Sequence, residues 1–300
     1  MKILVVVESM SLSQGGPPEV VRNNAKIINE KKKIISIFSL STINTFYLIK
    51  CVFLKKNKEK LIKFLQKFDI VHIHHLWSLK TIIISHFAKA LGIKYVFISH
   101  GYLDEWSMKE GFWKKKLFIK FFLQESITKG SAFFFSTIDE YHEAKKNINF
   151  YDFFVIPNGS DLTTYNIVKK PNDKKSLKKI VFFGRIHKKK GIEILLDAVK
   201  KLPEKFFENY FFEIVGPGEY EYIQYIKKIV KKNFHSKNVK LLDPKTRENK
   251  IEYLKTVDIF ILPSYEEGDS IALKEVMALG IPVIISRQCR MPLVQEKGAG

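Results

Sequence analysis

Residues 179–202 decide the fold class, and they read KIVFFGRIHKKKGIEILLDAVKKL. The first six, Lys179–Gly184, form a short apolar run rich in Ile, Val and Phe, which predicts a buried β-strand. Residues Gly191–Leu202 carry apolar side chains at helical spacing, which predicts an amphipathic helix. Because a strand followed closely by a helix is the repeating unit of parallel sheets, this segment predicts an α/β protein.

The same alternation of strand and helix runs along the whole chain. Apolar strands that alternate with helices are typical of parallel sheets covered on both faces, so we predict parallel sheets throughout. The predicted strands are Ile3–Glu8, Ile34–Ser39, Asp69–His74, Lys94–His100, Ala132–Ser136, Phe153–Pro157, Lys179–Gly184, Tyr210–Gly216, Val239–Leu242, Asp258–Pro263 and Pro282–Ser286. The predicted helices are Pro17–Lys32, Ser78–Leu91, Trp113–Lys129, Gly191–Leu202, Glu219–Lys232 and Ser270–Leu279.

A boundary between two domains is predicted after Pro157-Asn158-Gly159, which has strong turn chemistry. The next segment, Ser160–Lys179, is polar and rich in lysine, and it is the best linker candidate in the chain. We therefore expect one domain over residues 1–165 and a second over residues 166–300. Ligands of open parallel sheets bind outside the carboxyl ends of the strands, so the cleft between the two domains is the predicted site.

Composition excludes several classes of protein. With 46% hydrophobic and 27% charged residues, the chain has enough apolar side chains for folded cores. Cys51 and Cys289 lie far apart, which excludes a disulfide scaffold and fits a reducing compartment. Lysines cut the apolar runs well short of the ~20 residues that a membrane span needs, and the run Ile3–Val7 is too short for a signal peptide. We predict a cytoplasmic location.

The net charge of +20 favours phosphate-bearing partners and anionic membrane surfaces. However, only five of the 51 basic residues are arginine, the side chain with which nucleic-acid readers make bidentate contacts. The lysines are spread along the whole chain and do not cluster with aromatic residues as in a nucleic-acid interface. We therefore predict that the protein has no nucleic-acid partner.

Two glycine-containing loops are candidate phosphate sites. Gly15-Gly16 stands between a predicted strand and a predicted helix, although such a loop is often only a turn. The segment Gly184–Gly191 also joins a strand to a helix, and it carries Arg185 and Lys190. Two cations beside the free amides of a helix N-terminus suit a pyrophosphate, whereas the alternative is a solvated basic loop.

Two carboxylates form a third candidate site. Glu267 lies in the loop after the strand Asp258–Pro263, and Glu275 lies in the following helix, which Asp269 or Ser270 can cap. Carboxylates at the carboxyl end of a strand can accept hydrogen bonds from sugar hydroxyls. Either glutamate alone could equally be a surface residue.

These segments together resemble glycosyltransferase family 4, a family of retaining enzymes that use nucleotide sugars. Glu267 and Glu275 have the spacing of its E-x7-E signature, and Gly184–Gly191 resembles its G-R-[LI]-x-x-x-K-G segment. Four further segments resemble the family in matching order: Gly15-Gly16, His100-Gly101-Tyr102-Leu103-Asp104-Glu105-Trp106, Ile156-Pro157-Asn158-Gly159-Ser160-Asp161 and Val215-Gly216-Pro217-Gly218. The family continues beyond a segment like Glu296–Gly300, so we expect this chain to lack the C-terminal end of the second domain.

The resemblance implies a GT-B fold, in which two Rossmann-like parallel-sheet domains face a cleft. It implies transfer of a hexose, with retention, from a nucleoside-diphosphate sugar to a glycan or lipid-linked acceptor in the biosynthesis of cell-surface polysaccharide or lipopolysaccharide. The sugar nucleotide would be a co-substrate, with no metal or other cofactor. Acceptor contacts would come from variable loops such as Asn44–Lys67 and Tyr102–Trp113.

The resemblance also implies roles for individual residues. Glu267 and His100 would be catalytic: Glu267 would hold sugar hydroxyls near the anomeric carbon, and His100 would lie under the donor sugar. Arg185 and Lys190 would neutralise the donor pyrophosphate, and Glu275 would accept the ribose hydroxyls. The remaining donor-binding residues would be Gly15, Gly16 and Ser270.

Several alternatives stay open at this point. A nucleotide-sugar epimerase or a non-catalytic nucleotide-binding protein could share the two-domain plan. Asp269 stands where the family usually has phenylalanine, so it could bind sugar hydroxyls or repel phosphate. His72, His74 and His75 suggest a metal site but lack an obvious further ligand, and we predict none. Residues 112–123 have two interpretations. They could contact an anionic membrane, which would make the protein peripheral to the inner face of that membrane, or they could form a buried helix with lysines that reach solvent.

Overall fold

The computed structural model describes residues 1–11, 16–30, 33–160, 165, 177–245 and 247–298. The chain divides into two compact units. The first unit holds residues 1–11 and 17–159, and the second holds residues 160–300.

The first unit is a parallel sheet with helical connections. Its strands are β1 (Lys2–Val7), β2 (Ile34–Ser39), β3 (Ile70–Ile73), β4 (Lys94–Ile98), β5 (Ala132–Phe135) and β6 (Phe153–Val155), and they lie in the order β2-β1-β3-β4-β5-β6. Its helices are α1 (Gly16–Glu30), α2 (Thr45–Phe53), α3 (Lys55–Leu65), α4 (Leu79–Ala90), α5 (Glu105–Lys109), α6 (Phe112–Phe118), α7 (Gln124–Thr128) and α8 (Ile138–Lys145). All neighbouring strands pair in parallel.

Both faces of the first sheet are buried at strand β1. On β1, Leu4 and Val6 belong to the larger core, while Ile3, Val5 and Val7 face a smaller cluster that includes Val21 of α1. Alternate residues of a strand point to opposite faces, so a strand covered on both sides needs a continuous apolar run. This requirement explains the unbroken sequence Ile3–Val7.

The second unit is also a parallel sheet. Its strands are β7 (Lys178–Phe183), β8 (Tyr210–Val215), β9 (Val239–Leu242), β10 (Ile259–Leu262) and β11 (Val283–Ile285), and they lie in the order β11-β10-β7-β8-β9. Its helices are α9 (Ile192–Lys200), α10 (Tyr220–Asn233), α11 (Arg247–Lys255), α12 (Ile271–Ala278) and α13 (Pro292–Glu296). The strand order reverses between β7 and β10, which is the position where open α/β sheets bind their ligands.

Helix α9 shows why the quoted segment folds as it does. Ile192, Leu195, Leu196 and Val199 are buried, and their spacing places them on one face of the helix. These residues pack in the same core as Val181 and Phe182 of β7. The strand and the helix are therefore joined by apolar contacts that are already visible in the sequence.

The predicted α/β fold with two parallel-sheet units is confirmed. Each predicted strand is present, with its ends within two residues of the predicted bounds. The prediction of a loop over Asn44–Lys67 is wrong, because the segment forms α2 and α3. Asn44 caps α2 by accepting a hydrogen bond from the Phe46 amide, and α3 buries Leu61 and Leu65 at four-residue spacing.

The predicted helix Trp113–Lys129 is interrupted. It consists of α6, a π-helical turn over Ile119–Leu123, and α7. Of the two interpretations of this region, a buried helix with lysines that reach solvent describes only one side of the segment. Ile119 and Leu123 are buried, but Trp113, Leu117 and Phe121 are exposed to solvent.

Candidate functional site

Two loops meet at the point where the strand order of the second unit reverses. One follows β7 and contains residues 184–191, and the other follows β10 and contains residues 263–270. Since β7 and β10 pair in parallel, both loops leave from the same edge of the sheet. This juxtaposition places the two most informative sequence motifs side by side.

Gly191 explains how closely the two loops approach each other. Its φ of +65° is in the left-handed region, and a Cβ atom built there would lie 2.1 Å from the carbonyl oxygen of Pro263. The amide of Tyr265 also donates a hydrogen bond of 2.9 Å to the carbonyl of Lys189. Glycine is therefore required on both steric and conformational grounds, and the contact holds the intervening Lys190 against the second loop.

The end of β8 joins the same site. The amides of Gly184 and Ile186 donate hydrogen bonds of 3.0 and 2.6 Å to the carbonyls of Val215 and Pro217. A Cβ atom at Gly216 would lie 1.8 Å from the carbonyl oxygen of Gly184. The Val215–Gly218 segment is thus the neighbour of Gly184–Ile186, although about 30 residues separate them in the sequence.

Lys190 and Glu267 form an ion pair. The Nζ atom of Lys190 lies 2.6 Å from Oε1 and 2.8 Å from Oε2 of Glu267. Ser264 donates a hydrogen bond of 2.5 Å to Oε1, and the Glu267 amide donates to the carbonyl of Gln288. Because the Glu267 side chain is only 7% exposed, its charge depends on these partners for compensation.

Glu275 is held differently. It projects from α12 and is buried, and its Oε1 atom accepts hydrogen bonds from the Tyr165 hydroxyl at 2.9 Å and from Lys250 Nζ at 2.6 Å. The Oε2 atom is buried and has no hydrogen-bond partner among the described residues. A buried carboxylate oxygen without a partner is costly, and this oxygen is free to accept a hydrogen bond.

The other acidic residues near α12 are paired. Asp269 lies 2.6 Å from Lys274 Nζ, and Glu266 lies 2.5 Å from a guanidinium nitrogen of Arg290. Ser270 is the N-cap of α12 and accepts a hydrogen bond from the Leu273 amide. Of the two capping candidates, the structure selects Ser270.

Arg185 supplies a cation that is not used internally. It is half-buried and makes no hydrogen bond or ion pair with any described residue. Nearby, burial, the Arg185 charge and then the charges of neighbouring lysines lower the pKa of His187 to about 4. The loop is therefore strongly electropositive, as an anion site requires.

A second cluster lies in the first unit, where β3 and β4 end. His74 Nδ1 is 2.9 Å from His100 Nε2, and the two rings stack. His75 contacts the Tyr102 hydroxyl at 3.4 Å and the Glu8 carboxylate at 3.6 Å. Burial lowers the pKa of His100 to about 4, with a smaller effect from His75, so His100 is neutral at physiological pH.

The turn that carries His100 is fixed by Glu140, which the sequence analysis did not identify. Its buried carboxylate accepts hydrogen bonds from the Gly101 amide at 2.6 Å and the Ser136 amide at 2.7 Å. Asp104 then caps α5 by accepting from the Ser107 amide. These contacts explain the roles of Gly101 and Asp104 in the segment that begins at His100.

The structure says little about the two glycines that were predicted to bind the donor, Gly15 and Gly16. Gly16 is exposed and begins α1, and Gly15 lies outside the described residues. Within the second unit, the structure brings together Lys190 with Glu267 and places Arg185, Ser270 and Glu275 around the same edge of the sheet. It does not pair Arg185 with either glutamate.

The sequence analysis missed Lys250 and Tyr165, which bind Glu275. Lys250 is one lysine among many and carries no local signal. Tyr165 lies within the segment that we predicted to be a linker. Only the folded chain makes the first contact visible, because it brings Lys250 of α11 to Glu275 of α12.

Two features are absent from the described residues, a metal-binding cluster and a membrane-spanning helix. No group of three or more His, Cys, Asp or Glu side chains in this part of the chain could hold a metal ion. Within the same residues, no helix combines the length and the apolar character needed to cross a bilayer.

Comparison with known proteins connects both units to one family. Residues 17–164 match Glycosyltransferase Family 4, and residues 164–298 match Glycosyl transferases group 1. The chain is similar to the amylovoran biosynthesis glycosyltransferase AmsK of Erwinia amylovora, with 31% identity over 41% of this chain and 31% of the relative. It is also similar to the UDP-Gal:alpha-D-GlcNAc-diphosphoundecaprenol alpha-1,3-galactosyltransferase of Escherichia coli, with 27% identity over 88% of this chain and 63% of that protein.

The fold is shared with a solved structure, that of Anabaena HepE in complex with UDP-glucose. The TM-score is 0.76, with 17% identity, and the match covers 98% of this chain and 83% of HepE. The chain spans about a third of the length of the curated relatives that it matches first. Since the two family matches together extend over residues 17–298 and agree with the fold, the chain belongs to the family 4 glycosyltransferases.

Proposed function

We propose that this protein is a retaining glycosyltransferase that moves a hexose from a nucleoside-diphosphate sugar to a glycan or lipid-linked acceptor in cell-surface polysaccharide or lipopolysaccharide biosynthesis. In this proposal the second unit binds the donor and needs no metal ion. The proposal assigns donor binding to Arg185, Lys190, Ser270 and Glu275, and a catalytic role to Glu267 and His100.

The observation that carries this proposal is the unpartnered oxygen of Glu275. Its Oε2 atom is buried at the edge of the sheet where ligands of this topology bind. A ribose hydroxyl that donates to Oε2 would satisfy this oxygen, while Lys250 and Tyr165 hold the other oxygen in place. A carboxylate fixed in this way offers one acceptor in a set direction, which suits a hydroxyl held by a bound ribose.

The charges of the loop after β7 support the diphosphate part of the donor. Among the described residues Arg185 pairs with no carboxylate, whereas Lys190 is paired with Glu267. A bound diphosphate would attract both cations and weaken the Lys190–Glu267 pair. Glu267 would then interact with the transferred sugar, and the cations would stabilise the negative charge that develops on the leaving phosphate.

The names of similar proteins support the choice of donor and acceptor. The Escherichia coli relative is named for UDP-Gal and a diphosphoundecaprenol acceptor. The Anabaena structure with the same fold is in complex with UDP-glucose. We therefore place UDP-sugars and lipid-linked acceptors first among the candidates.

A membrane surface is the remaining part of the proposal. Trp113 is 77% exposed, and Leu117 and Phe121 follow it at four-residue spacing, with the exposed Lys114 and Lys120 beside them. Aromatic and apolar side chains with adjacent lysines suit the interface of an anionic bilayer. Such a surface would bring the protein to the place where lipid-linked acceptors reside.

The donor is tested by calorimetric titration of the protein with UDP-, GDP- and ADP-sugars, followed by turnover on lipid-linked acceptors. We expect one nucleotide to bind and its sugar to be transferred, with the anomeric configuration of the product matching that of the donor by NMR. Glu275→Gln should weaken binding of the nucleotide and of the free nucleoside alike, because both contain the ribose. The matched control Glu252→Gln, at an exposed position in the same unit, should bind normally. Failure of all three nucleotides to bind would refute the proposal.

The membrane is tested by co-sedimentation with vesicles of increasing anionic lipid content. We expect binding to rise with anionic lipid and to fall with salt, because the lysines act through screened charges. Trp113→Ser should weaken the binding, whereas Trp106→Phe, at a half-buried position in the same unit, should not. Binding that ignores lipid charge and salt would contradict this part of the proposal.

A further inference from the structure

The first unit contains a cavity that is lined by none of the residues assigned to the donor or to catalysis. Its volume is about 410 Å³, within the range of small-molecule sites, and it lies beside β2 between α2 and α3. Five apolar side chains line it: Phe38, Ile43, Leu48, Leu61 and Phe64. A cavity with this lining favours an apolar ligand.

Positive charge beside the cavity indicates that the ligand also carries an anionic group. Lys60 of α3 lines the cavity, is exposed, and makes no hydrogen bond or ion pair with any described residue. Residues 55–67 contain six lysines and a single acidic residue, Glu59. An anionic group would therefore be attracted to the same side of the unit as the apolar cavity.

Exposed apolar side chains on α2 and at its end indicate that the ligand comes from a lipid surface. Phe53 is 78% exposed, and Phe46 and Leu54 are also exposed. Monomeric proteins rarely present several large apolar side chains together unless the surface meets a membrane or another apolar partner. Phe53, Leu54 and the lysines of α3 combine an apolar patch with positive charge, as expected next to an anionic lipid surface.

We propose that the cavity between α2 and α3 binds the apolar chain of a phosphate-bearing lipid, with Lys60 at the phosphate. This inference rests on the proposed function, since it specifies how a lipid-linked acceptor is held. The chemistry required is an apolar chain joined to a phosphate, and either an isoprenoid or an acyl chain would supply it. The site lies within the first unit and is independent of the donor-binding residues.

Calorimetric titration with octyl phosphate, below its micelle-forming concentration, tests this inference. We expect saturable binding of one molecule per chain, with octanol weaker and inorganic phosphate without detectable binding, because both the chain and the phosphate contribute. Geranyl phosphate provides a second arm. Tighter binding of geranyl phosphate than of octyl phosphate would assign the cavity to an isoprenoid, and the reverse would assign it to an acyl chain.

Two matched pairs of variants locate the site. Thr42 lines the cavity and is exposed, so a tryptophan at this position should fill the cavity. Thr42→Trp should therefore weaken octyl phosphate binding at least tenfold. Its control is Ser41→Trp, at the neighbouring position outside the lining, which should leave octyl phosphate binding unchanged. Lys60→Gln should weaken octyl phosphate binding by about threefold, as expected for an exposed charge, and leave octanol unchanged. Lys58→Gln, exposed on the same helix but outside the lining, is its control.

The outcome separates this inference from the proposed function. Each variant is checked by circular dichroism and by titration with UDP, which binds in the second unit and should be unaffected. Absence of saturable octyl phosphate binding, or binding that Thr42→Trp leaves unchanged, would overturn the inference even if UDP binds. If octyl phosphate binds but no nucleotide does, the inference about the cavity is supported and the proposed transferase function is refuted.

Discussion

Replacing Lys190 with methionine should destabilise the second unit by about 3 kcal/mol. The Glu267 carboxylate would remain buried, with Ser264 as its remaining side-chain hydrogen-bond donor among the described residues. Removal of one partner from a buried ion pair costs about 3–5 kcal/mol. Because Lys190 is itself 20% exposed, water can partly replace it, and we expect the lower end of this range.

The double variant Lys190→Met with Glu267→Gln identifies the cause. The neutral amide removes the unpaired charge and can still accept a hydrogen bond from Ser264, so about 2 kcal/mol of the loss should be recovered. Lys255→Met is the matched control. Its partner Glu252 is 73% exposed, and the loss of this surface pair should cost less than about 1 kcal/mol.

Urea denaturation followed by far-UV circular dichroism measures these changes. The three tryptophans, Trp77, Trp106 and Trp113, all lie in the first unit, so tryptophan fluorescence reports the unfolding of that unit separately. We expect the fluorescence transition to stay in place while the transition of the second unit moves to lower urea concentration. A loss for Lys190→Met no larger than that for Lys255→Met would refute the reasoning, as would a double variant less stable than Lys190→Met.

Three further predictions follow from the site and from the buried histidines. Arg185→Ala should weaken UDP binding by about tenfold, the scale of a charge-assisted hydrogen bond, and leave uridine binding nearly unchanged. Calorimetric titration with both ligands measures the two changes. Equal losses of affinity for UDP and uridine would exclude a phosphate-binding role for Arg185. Glu267→Gln should lower kcat by roughly 10²-fold, the scale of a lost electrostatic group. Glu275→Gln should chiefly raise the KM for the donor. Steady-state kinetics that show the opposite pattern would reverse the roles assigned to Glu267 and Glu275. Burial lowers the pKa of His72 and His100 to about 4, so the unfolded chain binds protons that the folded chain does not, and stability should fall as the pH drops from about 6.5 towards 4. Thermal unfolding followed by tryptophan fluorescence tests this, and a Tm that is constant over that range would contradict it.

The fold class and the positions of the strands along the chain could be predicted from the amino-acid sequence alone. Continuous apolar runs such as Ile3–Val7 can only be buried on both faces, and the helical spacing of Ile192, Leu195 and Leu196 can only cover one face of a sheet. These are local patterns, and local patterns survive in a single sequence. The sequence was less informative over Asn44–Lys67, because α2 and α3 are short and five of the eleven residues of α3 are lysines, so the segment resembles a loop.

Which side chains contact each other became clear only from the folded structure. The sequence predicted Lys190 as a donor-binding residue and Glu267 as a separate catalytic residue, and the packing of Gly191 against Pro263 makes them an ion pair. Likewise, Lys250 reaches Glu275 because α11 packs near α12, and nothing near Lys250 in the sequence marks it. Such contacts depend on distances between segments that are far apart along the chain, and no periodicity of residue types records those distances. The exposure of Trp113 was open for the same reason: whether an apolar side chain is covered depends on what packs against it, not on its neighbours in the sequence.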